Sequence, residues 1–334
     1  MALSRVAAVR RAPAVSHTSR PARLADPAPG RARIGRIAQG LPWDNRPPLA
    51  LSPFSVRAGG SPAPGTTPPA PATQREADAW NEVAVEWQRG RRDALWRAHS
   101  DAVYTALLDR WLPTTTLDVV LKTDLFDEAV SAGLYPPLTR RARTVIGIDL
   151  AHVTARQAVA RYPSLGAIGA DVRRLPFRDG TFDAIVSLST LDHFRSAVDL
   201  DAGLGELRRV LRPGGTLILT LDNVANPLIR LRNLLPFAVV HGAGLVPYFV
   251  GESCSPRGAA ARLRAHGFCV DEVTTVLHVP RVAAVPAAAA VHRWAGARGR
   301  ERFLAGLRGW ERLAHWPTRT LTGHYVAVRA TRPA

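Results

Sequence analysis

Apolar residues along this chain gather into short continuous runs that alternate with stretches of helical period. The runs Phe182–Leu188 and Thr216–Leu221 are apolar enough to be strands that are buried on both faces. Between them the pattern predicts a loop at residues 189–192, a helix that ends near Leu211 and a turn at Pro213-Gly214-Gly215. A strand, a helix and a second strand in this order indicate two parallel strands joined by a right-handed crossover.

The same alternation continues on both sides of this unit. Residues 74–112 space tryptophan and aliphatic residues with a helical period, which predicts two helices interrupted near Gly90. Further strands are predicted at residues 115–121, 144–148, 165–170, 268–278 and 324–330, and further helices at residues 124–132, 154–161, 256–266 and 301–316. Strands that alternate with helices predict an α/β fold with a doubly wound, mostly parallel sheet.

The central unit also has a recognisable sequence. Residues 182–194 read FDAIVSLSTLDHF, and residues 206–219 read ELRRVLRPGGTLIL. This region closely resembles the fourth and fifth strands of class I S-adenosylmethionine-dependent methyltransferases of the small-molecule type, and the resemblance extends over about residues 115–330. It implies a Rossmann-like sheet of seven strands with an antiparallel last strand, S-adenosyl-L-methionine as cofactor, and methyl transfer as the reaction.

Three parts of the chain differ in composition. Residues 1–73 are rich in Ala, Pro, Arg and Ser without a lasting period, so they are predicted to be a disordered tail. A mitochondrial transit peptide and a mis-assigned start codon are the alternatives for this segment. Residues 74–114 are predicted to form a helical cap. Residues 115–332 are predicted to be the cofactor-binding methyltransferase domain, with an acceptor-site insertion at residues 223–256.

The formal net charge of +17 raises the question of a nucleic-acid partner. Residues 1–75 hold eleven arginines and two acidic residues, so about half of the excess charge lies there. No block of basic residues interleaved with aromatic residues occurs, and nucleic-acid binding is therefore not expected. Cys254 and Cys269 lack the spacing of a disulfide framework or a metal site, and no apolar run has the length of a transmembrane helix. We expect a cytoplasmic protein.

Acidic residues at strand ends are informative because ligands of open α/β sheets bind beyond the carboxyl ends of the strands. Asp149 directly follows the predicted strand at residues 144–148. A carboxylate there can accept hydrogen bonds from both hydroxyls of a ribose. The alternative is that Asp149 caps the helix that follows, because Asp is a good N-cap residue. Position and resemblance together favour the cofactor role.

The resemblance implies further cofactor contacts. Asp171 occupies the position whose carboxylate accepts the exocyclic amine of adenine, and the backbone N–H of Val172 meets a ring nitrogen. Ser189 follows the fourth strand, at the level where the methyl group is expected. No metal ligand is predicted.

The first strand departs from the family pattern. The family reads LDxGxGxG, whereas this chain reads LDVVLKTD, with Val120, Lys122 and Asp124 at the glycine positions. One interpretation is that the site has decayed into a scaffold. The other is that Lys122 and Asp124, two residues apart at a strand end, share one face and bind the carboxylate and the ammonium of the methionine end of the cofactor. The segment also resembles a glycine-poor variant of bacterial methyltransferases of this class.

Several residues are candidates for contact with the acceptor. His193 lies beside the expected transfer site, where it is either a general base or a packing residue. The insertion at residues 223–256 is apolar with two arginines, which indicates an apolar acceptor that carries a polar or anionic group. His241 and Tyr248 in this insertion are further candidates, whereas His324 is predicted to pack.

The main functional prediction is methyl transfer to a small or lipid-like acceptor at oxygen. The N-P-P-Y tetrapeptide of relatives that methylate nucleic-acid bases is absent, which favours oxygen or carbon over a base nitrogen. The alternative is a catalytically degenerate scaffold or partner-binding protein. An NAD(P)-dependent oxidoreductase is disfavoured because no G-x-G-x-x-G motif opens the first helix of the sheet. The stretch Val279–Val291 is predicted to widen the apolar wall of the site or to contact a membrane surface.

Overall fold

The computed structural model describes residues 72–90, 93–242, 246 and 250–334. The predicted tail lies outside these residues, except for its last two positions. The strands are β1 (Leu117–Lys122), β2 (Ala142–Asp149), β3 (Gly166–Gly169), β4 (Phe182–Leu188), β5 (Leu211–Asn223), β6 (Ser253–Cys254), β7 (Cys269–Val276) and β8 (Tyr325–Thr331).

Helices occupy most of the remaining described chain, and the two helices predicted at residues 74–112 are confirmed as α1 and α2. The α-helices are α1 (Ala72–Gly90), α2 (Ala94–Trp111), α3 (Phe126–Val130), α4 (Tyr135–Thr139), α5 (His152–Arg161), α6 (Ala197–Val210), α7 (Pro227–Leu234), α8 (Phe237–Gly242), α9 (Pro256–Ala265), α10 (Arg281–Trp294), α11 (Ala297–Trp310) and α12 (Arg319–Thr322). Two 3-10 helices lie at Leu191–His193 and Glu311–His315.

The strands form one sheet in the order β3-β2-β1-β4-β5-β8-β7. Strands β1 to β5 pair in parallel, and β8 runs antiparallel to both β5 and β7. This arrangement confirms the doubly wound, mostly parallel sheet. Because β1 lies between β2 and β4, the chain leaves β1 toward one side and returns on the other, which creates a switch point where such folds bind ligands.

Two details of the sheet differ from the sequence-based predictions. The sheet has eight strands rather than seven, because the short strand β6 within the insertion pairs with the last two residues of β5. The predicted turn at Pro213-Gly214-Gly215 lies inside β5, which begins at Leu211. The turn is kept beside the sheet by hydrogen bonds to the chain end, from the Gly214 N–H to the Arg332 carbonyl and from the Arg332 N–H to the Gly215 carbonyl.

Each face of the sheet has its own apolar core, because successive strand residues point to opposite faces. In β4, Ala184 and Val186 belong to one core and Ile185 to the other. Helices α2, α4, α5, α10 and α11 contribute to the first core, and α6 and α9 contribute to the second. Burial on both faces explains why the strands read as continuous apolar runs.

The stretch Val279–Val291 forms most of α10, a helix that the sequence analysis did not predict. Ala284 and Ala288 of this helix pack into the first core. Within the described residues, no helix combines the length and the apolarity that are needed to cross a bilayer.

Candidate active site

A cavity of about 420 Å³ lies at the carboxyl ends of the parallel strands, between the sheet and helices α1 and α2. It is lined by seven of the residues that the sequence analysis proposed for the site, which are Lys122, Asp124, Asp149, Asp171, Val172, Ser189 and His193. The sheet brings these residues together because the carboxyl ends of β1, β2 and β4 meet at the same edge.

Lys122 ends β1 and is only 2% exposed. Its Nζ lies 2.7 Å from the backbone oxygen of Asp124, 3.0 Å from Asp124 Oδ2 and 2.9 Å from Glu128 Oε2. Burial by itself would lower the pKa of the ammonium, but the two carboxylates outweigh it and hold the pKa above its ordinary value. The ammonium is therefore charged and already paired within the protein.

Glu128 is the second carboxylate that pairs with Lys122. It lies in the first turn of α3, and its side chain is fully buried. Its Oε1 accepts hydrogen bonds from the backbone N–H groups of Leu134 (2.8 Å) and Tyr135 (3.1 Å). Gly133 has a φ of +60°, and a Cβ there would lie 2.7 Å from Glu128 Oε1, so this position requires glycine. Burial raises the pKa of the Glu128 carboxyl.

Asp149 ends β2 and belongs to the cavity wall. Its Oδ2 accepts the N–H of Leu125 (3.0 Å) and its Oδ1 accepts the N–H of Ala151 (2.8 Å). The alternative interpretation of Asp149 as a helix cap is wrong, because α5 begins at His152 after Ala151 at the N-cap position. Burial raises the pKa of the Asp149 carboxyl to about 7, against the opposing effect of these two backbone hydrogen bonds.

Asp171 is bound by a residue that the sequence analysis missed. Arg173 Nε lies 3.0 Å from both carboxylate oxygens of Asp171. The same guanidinium reaches Glu76 of α1 (2.6 Å) and Asp199 of α6 (3.1 Å). Arg173 therefore fastens α1 over the cavity. The backbone N–H of Arg173 (2.9 Å) and its Nη2 (2.7 Å) also donate to Asp171, so Arg173 occupies the roughly four acceptor positions of this carboxylate. Any further donor to Asp171 has to share an oxygen with Arg173. The only sequence signal for Arg173 was its position two residues after Asp171.

Ser189 directly follows β4 and has a φ of 51°. Its N–H donates to Thr220 Oγ1 (2.9 Å) and its Oγ donates to Asp192 Oδ2 (3.1 Å). Leu277, with a φ of 59°, also lines the cavity. Left-handed backbone is unfavourable for residues other than glycine and concentrates at functional sites. Two such residues on one cavity support its assignment as a binding site.

His193 lies in the 3-10 helix that follows β4. Its ring contacts the ring of Trp80 in α1 edge-to-face, with 4.9 Å between the centroids. Trp80 also lines the cavity, so α1 contributes more than sheet-edge packing here. The structure brings His193 to the cavity wall, and its role as a general base stays a prediction.

A second polar group on the cavity wall was also missed from the sequence. The Tyr325 hydroxyl lies 3.3 Å from Ser189 Oγ and accepts from Arg281 at 3.3 Å, and the Tyr325 ring lies 6.5 Å from the ring of Tyr104. Because β8 is antiparallel, its first residue, Tyr325, pairs with Asp222 at the end of β5 and so reaches the ligand-binding edge. A tyrosine at the start of an antiparallel last strand was the available signal.

The remaining histidine and tyrosine candidates have different positions. His324 packs as predicted, since its ring lies 4.6 Å from the Tyr325 ring and burial lowers its pKa to about 4. His241 is exposed, and its Nδ1 lies 3.0 Å from the carbonyl of Val246. It is not among the residues that line the cavity. Tyr248 lies outside the described residues.

Comparison with known proteins supports a family. Residues 129–219 match the family model described as a methyltransferase domain. A demethylmenaquinone methyltransferase of Beutenbergia cavernae is 33% identical over 127 residues, which are 38% of this chain and 46% of that protein. A protein of Mycolicibacterium smegmatis named "probable S-adenosylmethionine-dependent methyltransferase" is 32% identical over 82 residues, which are 25% of this chain and 31% of that protein. Residues 129–219 therefore carry a methyltransferase domain, and these relatives support a class I S-adenosylmethionine-dependent methyltransferase.

A solved structure agrees with this methyltransferase fold. The crystal structure of the [4+2]-cyclase SpnF superposes with a TM-score of 0.52 at 19% identity, covering 80% of this chain and 98% of that one. At this identity the likeness shows the fold alone. The chain spans less than half the length of these two relatives.

The cavity residues fit the cofactor of this family, S-adenosylmethionine. Asp149 offers a carboxylate at the end of β2 for the ribose hydroxyls. Asp171 lines the same cavity and can accept the adenine amine if it shares an oxygen with Arg173. At the end of β1, Lys122 and Asp124 combine a cation and an anion beside the cavity, which matches the zwitterionic methionine end. For Lys122 to bind a carboxylate, it must share its Nζ with Glu128.

Proposed function

We propose that this methyltransferase transfers a methyl group from S-adenosylmethionine to the oxygen of a small, apolar or lipid-like acceptor. The observation that carries the proposal is the convergence of seven predicted site residues on one cavity at the switch point of the sheet. The cofactor supplies an activated methyl group when it is bound. The residues of this chain have to position both partners and accept a proton.

We divide part of the cavity lining into two groups of side chains by their chemistry, which we call the charged half and the acceptor half. Lys122, Asp124, Asp149 and Asp171 form the charged half, which we assign to the cofactor. The other half is lined by the apolar and aromatic side chains of Trp96, Phe237 and Leu277 together with the polar groups of Tyr104, Arg281 and Tyr325.

This second half supports an apolar acceptor that carries one polar or anionic group. Apolar walls remove the body of the acceptor from water, and the Arg281 guanidinium beside the Tyr325 hydroxyl can hold its polar group. The name of the Beutenbergia cavernae relative refers to a quinone-type molecule, which has this chemistry. A phenol or quinol is therefore the acceptor class we propose.

Methylation of a hydroxyl forms an O–CH₃ bond, breaks the S–CH₃ bond and releases the hydroxyl proton. We assign the acceptance of this proton to His193, which lies on the cavity wall after β4. Replacement of a general base lowers kcat by about 10²–10⁴-fold. His193→Asn should therefore lower kcat to this extent while the dissociation constant of S-adenosylmethionine changes little. A packing role would instead lower the stability of the protein and spare kcat.

A second candidate function, a protein of this fold without methyl transfer, is favoured by one observation. The residues at the glycine positions of the first strand, Lys122 and Asp124, pair with each other. SpnF, with which this chain shares its fold, is named as a cyclase. The two candidates differ in whether cofactor binding leads to transfer.

The test has two steps with the full chain. S-adenosylmethionine is first titrated calorimetrically, with NADH as the control ligand. Radiolabelled methyl transfer to simple phenols and quinols is then measured, and NMR of the product distinguishes an O-methyl from a C-methyl group. Binding with transfer to oxygen supports the proposal. Binding without transfer to any acceptor favours the second candidate, and no binding of S-adenosylmethionine contradicts the assignment of the charged half.

A further inference from the structure

The insertion that follows β5 exposes an unusual amount of apolar side chain. Large hydrophobic residues that are exposed number fourteen in the described chain, and six of them lie within residues 228–239. We call this group the α7–α8 surface, and its members are Leu228, Leu231, Leu234, Leu235, Phe237 and Val239. Soluble proteins seldom concentrate exposed apolar side chains in this way unless the patch contacts a partner or a membrane.

One side of helix α7 is attached to the sheet, and the opposite side exposes leucines to solvent. Ile229 is buried and Arg232 forms an ion pair with the buried Asp222, so these two residues fasten the helix to the sheet. Leu231 and Leu234, at a spacing of three residues, share the outer side and are 56% and 75% exposed. The inner face of α7 already has its own contacts with the sheet. The outward leucines therefore form a separate apolar face that is exposed to solvent.

The α7–α8 surface borders the cavity. Phe237 belongs both to this surface and to the lining of the acceptor half. At the other end of α7, the N-cap residue Asn226 donates from Nδ2 to the Thr322 carbonyl (3.1 Å), which places α12 with its half-exposed Leu321 beside it. An apolar path thus continues from the outside of the protein to the acceptor half of the cavity.

The charge around this surface indicates what it contacts. Residues 223–251 contain two arginines and no acidic residue. Arg230 is exposed between the outward leucines, and Arg319 of α12 is exposed nearby. Apolar side chains flanked by cations characterise segments that lie in the interface of an anionic bilayer. A second copy of the chain would bring like charges together at the same place.

We propose that the α7–α8 surface docks on an anionic phospholipid bilayer, so that a lipid-dissolved acceptor enters the cavity directly from the membrane. The entry of the acceptor rests on the proposed function, whereas the docking itself does not. The bilayer takes the outward leucines and Phe237 into its interface, and Arg230 contacts lipid phosphates. No helix has to cross the membrane for this contact.

The first test is co-sedimentation of the full chain with vesicles of phosphatidylglycerol and phosphatidylcholine. Leu231→Gln/Leu234→Gln keeps the charge and the helix propensity but removes the apolar contact, so the partition coefficient should fall at least tenfold. Val198→Gln is the matched control, since Val198 is 76% exposed on α6. Loss of Arg230 in Arg230→Gln should weaken binding to anionic vesicles about fivefold and leave binding to pure phosphatidylcholine unchanged.

The arginine-rich residues 1–71 can also attract anionic vesicles. The second test therefore determines which part of the protein contacts the bilayer. In a Cys269→Ser background, Leu234→Cys and Val198→Cys are labelled with an environment-sensitive fluorophore. Vesicles should shift the emission to the blue for the label at 234 and not for the label at 198. The inference is overturned if neither label shifts, or if the glutamine variant binds vesicles as well as the wild type.

Two further outcomes are also decisive. If light scattering shows a dimer that dissociates on Leu234→Gln, the surface is an interface between copies and the membrane inference is wrong. Calorimetry with S-adenosylmethionine is run on the same samples. If the protein binds vesicles but not S-adenosylmethionine, the docking inference stands and the proposed function is wrong. If it binds S-adenosylmethionine but not vesicles, only the docking inference is wrong.

Discussion

The pairing of Lys122 with Glu128 predicts a large and specific stability effect. In Lys122→Met the side chain keeps its length and loses its charge. The variant removes three contacts of Nζ, which are those with the Asp124 carbonyl, Asp124 Oδ2 and Glu128 Oε2. The Glu128 carboxylate stays fully buried with its two backbone donors and without a counter-ion. Breaking a buried pair from one side costs about 3–5 kcal/mol, and we expect the free energy of unfolding to fall by this amount.

The pH dependence of this loss has a definite sign. In the wild type burial already raises the pKa of Glu128 above the value of 4.5 that it has in the unfolded chain, although Lys122 opposes the rise. Without Lys122 the pKa of the folded state rises further, so above pH 4.5 the folded state binds a proton that the unfolded state releases. Stability then falls as pH rises from 4.5 toward the folded pKa. The penalty of Lys122→Met should therefore be smallest near pH 4.5 and grow toward neutrality.

The assay is urea unfolding monitored by tryptophan fluorescence for the wild type, both single variants and the double variant Lys122→Met/Glu128→Gln. The neutral amide removes the unpaired charge, so the double variant should be more stable than Lys122→Met alone at neutral pH. A loss below about 1 kcal/mol for Lys122→Met, or a loss that Glu128→Gln does not reduce, would refute the reasoning.

A different substitution of Lys122 tests the cofactor contact. If Lys122 also holds the carboxylate of S-adenosylmethionine, a folded Lys122→Ala protein should bind the cofactor more weakly by about 1.5–3 kcal/mol. An unchanged dissociation constant would leave Lys122 with its structural role only.

Three further predictions concern other parts of the site. Asp149→Asn should weaken S-adenosylmethionine binding by about 1.5–3 kcal/mol in calorimetry. Because the pKa of the Asp149 carboxyl is about 7, the affinity of the wild type should increase as pH rises through 7, whereas the affinity of the variant should not. Arg173→Met should release α1 from the cavity, which hydrogen exchange would detect as faster exchange of α1 amides while α9 keeps its wild-type rates. Gly147→Ala places a Cβ 2.3 Å from a methyl carbon of Leu125 and should destabilise the fold by about 1–3 kcal/mol. Gly205→Ala in α6 is the control, because the space around Gly205 is open. Equal thermal stabilities of the two variants would contradict the packing argument.

Much of the fold was accessible from the sequence because its determinants are local. Strand β4 is a continuous apolar run, and a strand buried on both faces has to be one. Asp149 and Lys122 were identifiable as candidate site residues because they end strands, and parallel strands bring their carboxyl ends to one edge. These inferences need only the period of the pattern and the topology that it implies. The extra strand β6 escaped prediction because two residues are too few to show a period.

The partners of the site residues, by contrast, were decided by the tertiary structure. Arg173 joins Glu76, which lies 97 residues earlier in the chain, and Tyr325 reaches Ser189 across 136 residues. No local pattern encodes these pairs, because they depend on how α1 and the antiparallel β8 dock against the sheet. The outward face of α7 is a further example. Its leucines look like core residues in the sequence. Only the burial of Ile229 and the ion pair of Arg232 with Asp222 on the other side show that they face solvent. The sequence alone thus determined the sheet and the edge at which the site lies, because apolar periodicity is a local property. Which charges meet there and which apolar residues stay outside depends on contacts between distant segments, and only the folded chain defines those.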